Sequence, residues 1–312
     1  MIFLLSGSSP NFHHETGLEM DDAFLLKSGK SQRIFGYRMN LDFDRKIFSK
    51  TEPFDMKKIL KLVKGKEVGM DFANESAKFC SEISKSAKKV VDIGEDCLTK
   101  RSFKTEEEIA LLKASSKKAK SIINNIDVKK GMAEIEIANA LKKEVIDQGL
   151  GLSFEPIVAT GANSSYPHSV PTNKKVGSFV MIDFGVKYRH YCSDMTEVIF
   201  LDRKSKEFEL YGRIKEAFGS VFDGLRGCET GNDIHLAYLR AFKRLGLPTM
   251  PHGIGHGVGL EVHEYPRLKK GSKDRTRGTV FTLEPAIYLK NRFGLRFERE
   301  ILVKKSGKAE VI

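Results

Sequence analysis

An α+β protein of two domains, the second built by duplication, is what the sequence predicts, and three observations predict it. The chain has 312 residues and 40% hydrophobic content, enough for two cores. Thr105 followed by Glu108 is a capping-box signal that opens a long helix and separates it from a strand-rich first part. Beyond that point the order helix, helix, strand pair occurs twice, as expected of one supersecondary unit repeated in tandem.

In chain order, IFLL, AFLLK and SQRIFGY read as strands, and Asn74 to Val91 carries helical spacing through Ala77, Cys80, Ile83 and Ala87. Residues 1–102 form the predicted first domain. The second, 103–312, opens with a helix at 105–126 whose apolar face is Ile109, Leu112, Ala119, Ile122 and Ile126. A helix at 133–148 follows, with Gly149 as its C-cap, then a strand pair at 179–200. Helices at 205–226 and 231–245, the stretch GVGLEVHE and a strand pair at 279–303 repeat the pattern.

Composition narrows the function classes. The net charge is +12, but 37 lysines against 16 arginines are dispersed along the chain and interleaved with acids, so no specific nucleic-acid partner is expected. No apolar run approaches the roughly 20 residues of a membrane span, and MIFLLSG is too short for a secretory signal. A cytoplasmic location is expected. Cys80, Cys97, Cys192 and Cys228 lack CxxC spacing and read as reduced thiols.

The chemistry concentrates elsewhere. PHGIGHGVGLEVHE places His252, His256 and His263 within fourteen residues, on backbone carrying four glycines. In the first strand pair, a turn at Tyr188 and Arg189 sets Asp183 opposite Asp194 on one face, unless either acid lies at a frayed strand end. In the second, a turn centred on Asn291 sets Glu284 opposite Glu298 between apolar residues; Glu300 shares that strand face and needs the centre moved to Arg292. Arg296 is placed to pair with one of these acids, which is the salt-bridge alternative, but one cation does not neutralise four carboxylates. Two divalent cations would. Four carboxylates and a hydroxide carry five negative charges against four positive, and His256, between Gly255 and Gly257, is the natural imidazole to complete the set.

In order and local context, IDFG, SDMT, GHGVGLEVHE, TLEP and GLRFE resemble the pita-bread metallopeptidases, which include methionine aminopeptidases, Xaa-Pro aminopeptidases and Xaa-Pro dipeptidases. Residues 103–312 carry the resemblance strongly; residues 1–102 more loosely resemble the creatinase/prolidase-type domain that precedes the catalytic one. GLEVHE, PHSVPT and the extra domain resemble the Xaa-Pro branch. The resemblance implies a duplicated pita-bread catalytic domain with Asp183, Asp194, His256, Glu284 and Glu298 as ligands of two divalent ions, Mn or Co before Zn or Fe. It implies hydrolysis of Xaa-Pro bonds in small peptides by a hydroxide shared between the ions. His263 and His168 are implied catalytic groups, Glu284 a proton acceptor as well as a ligand, and His252 and Arg296 substrate-binding groups. A homodimer is expected. Methionine aminopeptidase activity and a metal-free binding module of the same fold are the alternatives. One departure stands out: family members commonly carry an acidic or amide residue after the last glutamate, and here Arg299 takes that place. Strand alternation turns it away from the metals, and Glu300 then reads as a nearby or surface acid paired with a lysine.

Overall fold

The computed structural model describes residues 1–36 and 51–312; Tyr37, the end of the SQRIFGY reading, lies outside them. Contacts divide the chain into two compact units, Met1–Lys100 and Arg101–Ile312.

The first unit holds strands β1 (Ile2–Ser6), β2 (Phe24–Ser28), β3 (Ser31–Gly36), β4 (Thr51–Pro53), β5 (Glu67–Met70) and β6 (Lys89–Asp92) in one mixed sheet of order β4-β3-β2-β1-β5-β6. Helix α1 is Pro10–Thr16, α2 Met56–Val63, α3 Ala77–Ser84 and α4 Gly94–Ser102. Alternation along the strands feeds two cores. Leu4, Leu26 and Phe35 meet Ile59 of α2 and Ile83 of α3, while Leu5, Leu25 and Ile34 meet Phe12 of α1. The helix expected over Asn74–Val91 is shorter than its spacing suggested. Ser76 caps α3, accepting from the Phe79 N–H at 3.2 Å, and the chain leaves the helix after Ser84. Lys88 N–H then bonds to Lys66 O, and the β-branched pair Val90-Val91 continues as β6 parallel to β5.

The second unit repeats one layer arrangement. Helices α5 (Glu106–Asn125) and α6 (Glu134–Asp147) lie on the three-stranded sheet β12-β9-β8, formed by β8 (Ile157–Ala159), β9 (Phe179–Phe184) and β12 (Met195–Phe200), while β7 (Gly151–Leu152), β10 (Val186–Tyr188) and β11 (Tyr191–Cys192) form the small sheet β11-β10-β7. Ala119, Ile122, Ile137 and Leu141 of the helices pack on Val158, Val180 and Ile182 of the strands. Helices α7 (Lys206–Gly224) and α8 (Gly231–Arg244) likewise lie on a five-stranded sheet, β14-β13-β15-β18-β19. Its strands are β13 (Gly255–Gly257), β14 (Glu264–Leu268), β15 (Thr279–Leu283), β18 (Arg299–Val303) and β19 (Ala309–Val311). Ile214, Phe218, Ile234 and Phe242 there meet Leu268, Phe281 and Ile301. The capping box at Thr105/Glu108 is formed, and a second at Thr230/Asp233 opens α8. Gly149 follows α6 in the left-handed conformation, φ 64°.

The first hairpin corrects its predicted register. Asp183 pairs with Thr196, not Asp194, and Tyr188 with Tyr191, because Arg189 and His190, both left-handed at φ 46° and 74°, make the two-residue turn one position later than expected. The second hairpin keeps the predicted register. In it, β16 (Ala286–Leu289) pairs with β17 (Phe293–Arg296), Ala286 opposite Arg296, around a tip containing Asn291 at φ 60°; Leu283 opposite Arg299 continues the same register beyond Glu284 and Glu298. Among the described residues no helix is long and apolar enough to cross a membrane.

Candidate metal centre

A cavity of about 740 Å³ in the second unit is lined by all nine residues singled out from the sequence: Asp183, Asp194, His256, Glu284 and Glu298, with His168, His252, His263 and Arg296. The acids reach it from one face of each hairpin. Asp183 and Asp194 lie at the facing ends of β9 and β12, and Glu284 and Glu298 sit where the register passes from β15/β18 to β16/β17.

Asp194, His256 and Glu298 form the tightest group, each offering a ligand atom within 4.8 Å of the others. His256 Nε2 is 3.5 Å from Asp194 Oδ2 and 4.0 Å from Glu284 Oε1. Its Nδ1 lies 3.2 Å from the Gly257 carbonyl, which only accepts, so Nδ1 carries the proton. Burial, with His263 next, holds the ring down to about pKa 3, so it is neutral and its Nε2 lone pair points among carboxylates. A lone pair facing anionic oxygens calls for a cation between them. Two buried oxygens say the same: Asp183 Oδ1 and Asp194 Oδ1 have no hydrogen-bond partner among the described residues. Burial, reinforced by Glu298 and the other acids, pushes the Asp194 and Glu284 carboxyls well above their ordinary range, and burial with Asp183 pushes Glu298 up to about 7. The donor set of carboxylate oxygens and one imidazole fits a divalent ion.

Neighbouring backbone leaves no room for a side chain at Gly255 or Gly257, on either side of His256. A Cβ on Gly255 would stand 1.9 Å from Thr282 O, and one on Gly257 2.0 Å from Tyr265 O. The glycines let β13 press against the backbones of its neighbours, and that fixes His256 between the hairpins.

Arg296 is buried and fully engaged. It contacts Asp183 Oδ2, donates to Thr196 Oγ1 at 2.8 Å, to Tyr288 Oη at 2.8 Å and to Pro167 O at 3.3 Å, and lies 3.9 Å from Glu298. Thr196 in turn donates to Glu298 Oε2 at 2.6 Å, so Arg296 and Thr196 orient two of the acids. The salt-bridge reading of Arg296 thus holds for Asp183 and, more distantly, for Glu298, and the carboxyls of Asp194 and Glu284 make no ion pair with it among the described residues. His252 is held in the same network. Its Nδ1 donates to Gly253 O at 2.8 Å; burial lowers the ring to about pKa 4, so the neutral Nε2 accepts from Tyr288 at 3.1 Å. Thr196 and Tyr288 were missed from sequence, although both lie an even number of residues from a named acid and so share its strand face. His168, on an exposed loop, and His263, its ring centroid 4.2 Å from that of His256, complete the wall.

Glu300 corrects another expectation. It is 1% exposed, opposite Thr282, with no ion pair to a lysine among the described residues; Ser116 and the Asp194 backbone N–H face its carboxylate, and burial pushes that carboxyl well up. Arg299 does point away from the acids, onto Glu197 and the Thr196 carbonyl at 3.0 Å.

The sequence pattern of metallopeptidase family M24 matches residues 110–305. The chain belongs to this family. Its second unit carries the family's pita-bread fold. An uncharacterised peptidase of Methanocaldococcus jannaschii is 34% identical over 220 residues, 66% of this chain. That match spans 62% of the relative's length. Among solved structures, an X-Pro aminopeptidase from Thermotoga maritima superposes with a TM-score of 0.90 at 25% identity, over 99% of this chain and 94% of the other. A Xaa-Pro dipeptidase from Bacillus anthracis gives 0.90 at 26%, over 99% and 92%. These neighbours put the chain on the prolidase-like branch of the M24 family.

Proposed function

We propose that this M24 protein is a peptidase that hydrolyses Xaa-Pro bonds in dipeptides or short peptides, with two divalent ions held by Asp183, Asp194, His256, Glu284 and Glu298. The observation that carries the reading is the His256 Nε2 lone pair set within reach of Asp194 and Glu284, beside a buried Asp194 oxygen that lacks a partner. Manganese or cobalt suits the oxygen-rich set, with zinc or iron next. Likeness to an X-Pro aminopeptidase and a Xaa-Pro dipeptidase supports the substrate class, and residues 1–102 would be the creatinase/prolidase-type domain. Small peptides are the proposed partners of a cytoplasmic homodimer.

When bound, the ions would supply Lewis-acid activation of a water and of the scissile carbonyl. The chain's own groups do the rest. Glu284, its Oε1 4.0 Å from His256 Nε2, is the carboxylate that accepts the proton. The His263 ring, lowered by burial and by His168, is neutral near pH 7 and serves as donor to the developing oxyanion or as proton carrier. His168 reaches the scissile bond from the first half of the duplication. An Xaa-Pro bond has no amide N–H, so recognition falls to the ring and the neighbouring carboxylate. His252 and Arg296 line that part of the cavity, and contact with substrate shares hydrogen bonds they now give to protein groups.

The test is cleavage of an Xaa-Pro dipeptide, an Xaa-Pro tripeptide and a Met-Ala peptide by protein reloaded with Mn or Co, with chelated protein as control. Metal-dependent cleavage of the proline peptides supports the reading. Cleavage of Met-Ala with Xaa-Pro bonds left intact would transfer the protein to the methionine aminopeptidase type.

A further inference from the structure

Behind His263 lies a buried ion cluster that the proposed chemistry does not use. The side chains of Arg101, Lys104 and Glu264 are 2%, 1% and 0% exposed. Glu264 Oε1 accepts from Arg101 Nη2 at 2.8 Å, and its Oε2 accepts from Lys104 Nζ at 2.8 Å. Lys104 also donates to the Arg101 carbonyl at 2.6 Å, and Arg101 contacts the half-exposed Glu261. Two cations thus meet two carboxylates. Burial alone would raise the Glu264 carboxyl, but Lys104 and Arg101 hold it below its ordinary value.

The cluster sits at the base of one loop. Gly257 pairs with Glu264, so Val258–His263 leaves β13 and returns to β14 at facing residues, with His256 two residues before it and His263 at its end. The Glu264 carboxylate turns back into this loop and accepts the Glu261 N–H at 3.1 Å. Gly259 N–H bonds to Glu261 O at 3.0 Å, and Gly259 O accepts from Cys192 N–H at 2.8 Å. Gly259 is laid directly over the ions: a Cβ there would stand 2.4 Å from Glu264 Oε2 and 2.5 Å from Lys104 Nζ. His263 is partly exposed at the cavity wall with the His256 ring beside it, so its place follows largely from the backbone that carries it.

We propose that the Arg101–Lys104–Glu264 clamp is the positioning device of His263, fixing the loop so that this imidazole stays beside His256. The proposal rests on the reading of His263 as a catalytic group. Glu264 is then a positioning residue that acts through His263 without touching substrate. A buried ion pair is a poor source of stability for its own sake, because desolvation offsets most of the attraction. Its value here is geometric.

The experiment compares Glu264→Gln, Gly259→Ala, His263→Ala and the Glu264→Gln/His263→Ala double variant, using the proline peptide cleaved best by the manganese-loaded enzyme. Glu264→Gln and Gly259→Ala are expected to keep their manganese content and lower kcat by about tenfold to a hundredfold, with KM within about threefold. The double variant should be no slower than His263→Ala, since a device that acts only through His263 has nothing left to place. His263 ring resonances, identified by their loss in His263→Ala, should shift in both single variants. Unchanged kcat and resonances in the single variants would overturn the proposal, as would losses that multiply in the double variant. If Glu264→Gln does not fold, Gly259→Ala, which changes no charge, carries the same test. Should His263→Ala turn over like the parent, the catalytic reading of His263 falls, and the ring resonances still decide whether the clamp positions it.

Discussion

Binding of a divalent ion to the metal-free protein should release protons, and the number should fall as pH rises. Ligating carboxyls must be deprotonated, and in this fold three of them hold their protons unusually tightly. With Glu298 pushed up to about 7 by burial and Asp183, its oxygen carries about 0.9 proton at pH 6 and about 0.1 at pH 8. Asp194 and Glu284, also raised by burial and by the neighbouring acids, add to that release. His256 adds none, because burial keeps it neutral down to about pH 3. The sign follows: protons compete with the metal below about pH 7, so affinity rises with pH, up to about tenfold per pH unit for each proton displaced, or about 1.4 kcal/mol. Calorimetric titration with Mn at pH 6, 7 and 8, in two buffers of different ionisation enthalpy, counts the protons directly. Glu298→Gln should both weaken binding and remove its share of the release. Proton-free binding at pH 6, or an affinity flat from pH 6 to 8, would refute the reasoning.

His263→Ala should retain its metal and lose about two orders of magnitude in turnover, whereas His256→Ala should lose metal; elemental analysis beside kcat separates the two. Metal content also discriminates the last acids. Glu298→Ala is expected to lose metal and Glu300→Ala to keep it, with no loss of thermal stability, since Glu300 is a buried acid with no ion pair among the described residues. A double-mutant cycle on Arg299 and Glu197, by urea unfolding, should give a coupling of about 1 kcal/mol or more for this half-buried pair. DNA or RNA binding should be weak and gone by physiological salt in a filter or anisotropy assay, because the lysines are dispersed.

Strand parity explains why the acids were legible even where the register was not. The first hairpin is displaced by one position at its turn, which moves the sum of paired residue numbers by two, and a shift of two returns every side chain to its own face. Asp183 and Asp194 therefore still converge. The turn itself was misplaced because Arg189 and His190 give no sign of a left-handed conformation, whereas Asn291 marks its own tip. The Arg101–Glu264 pair could not be read, since its members stand 163 residues apart and ion pairing leaves no periodic trace. Asn74–Val91 was overextended because helical spacing persists into Ala87, while the pull of a neighbouring parallel strand has no local signature.

The convergence of the two hairpins also dictates an order of assembly. Thr196 and Glu298 meet across 102 residues, and Asp183 and Arg296 across 113. Each half can collapse earlier, around its own helix pair, but the carboxylates of the two hairpins come together only when loops of more than a hundred residues have closed. The full set of proposed ligands therefore exists only after the halves have met, and a metal ion that takes Asp183 or Asp194 together with the glutamates would lock them to each other.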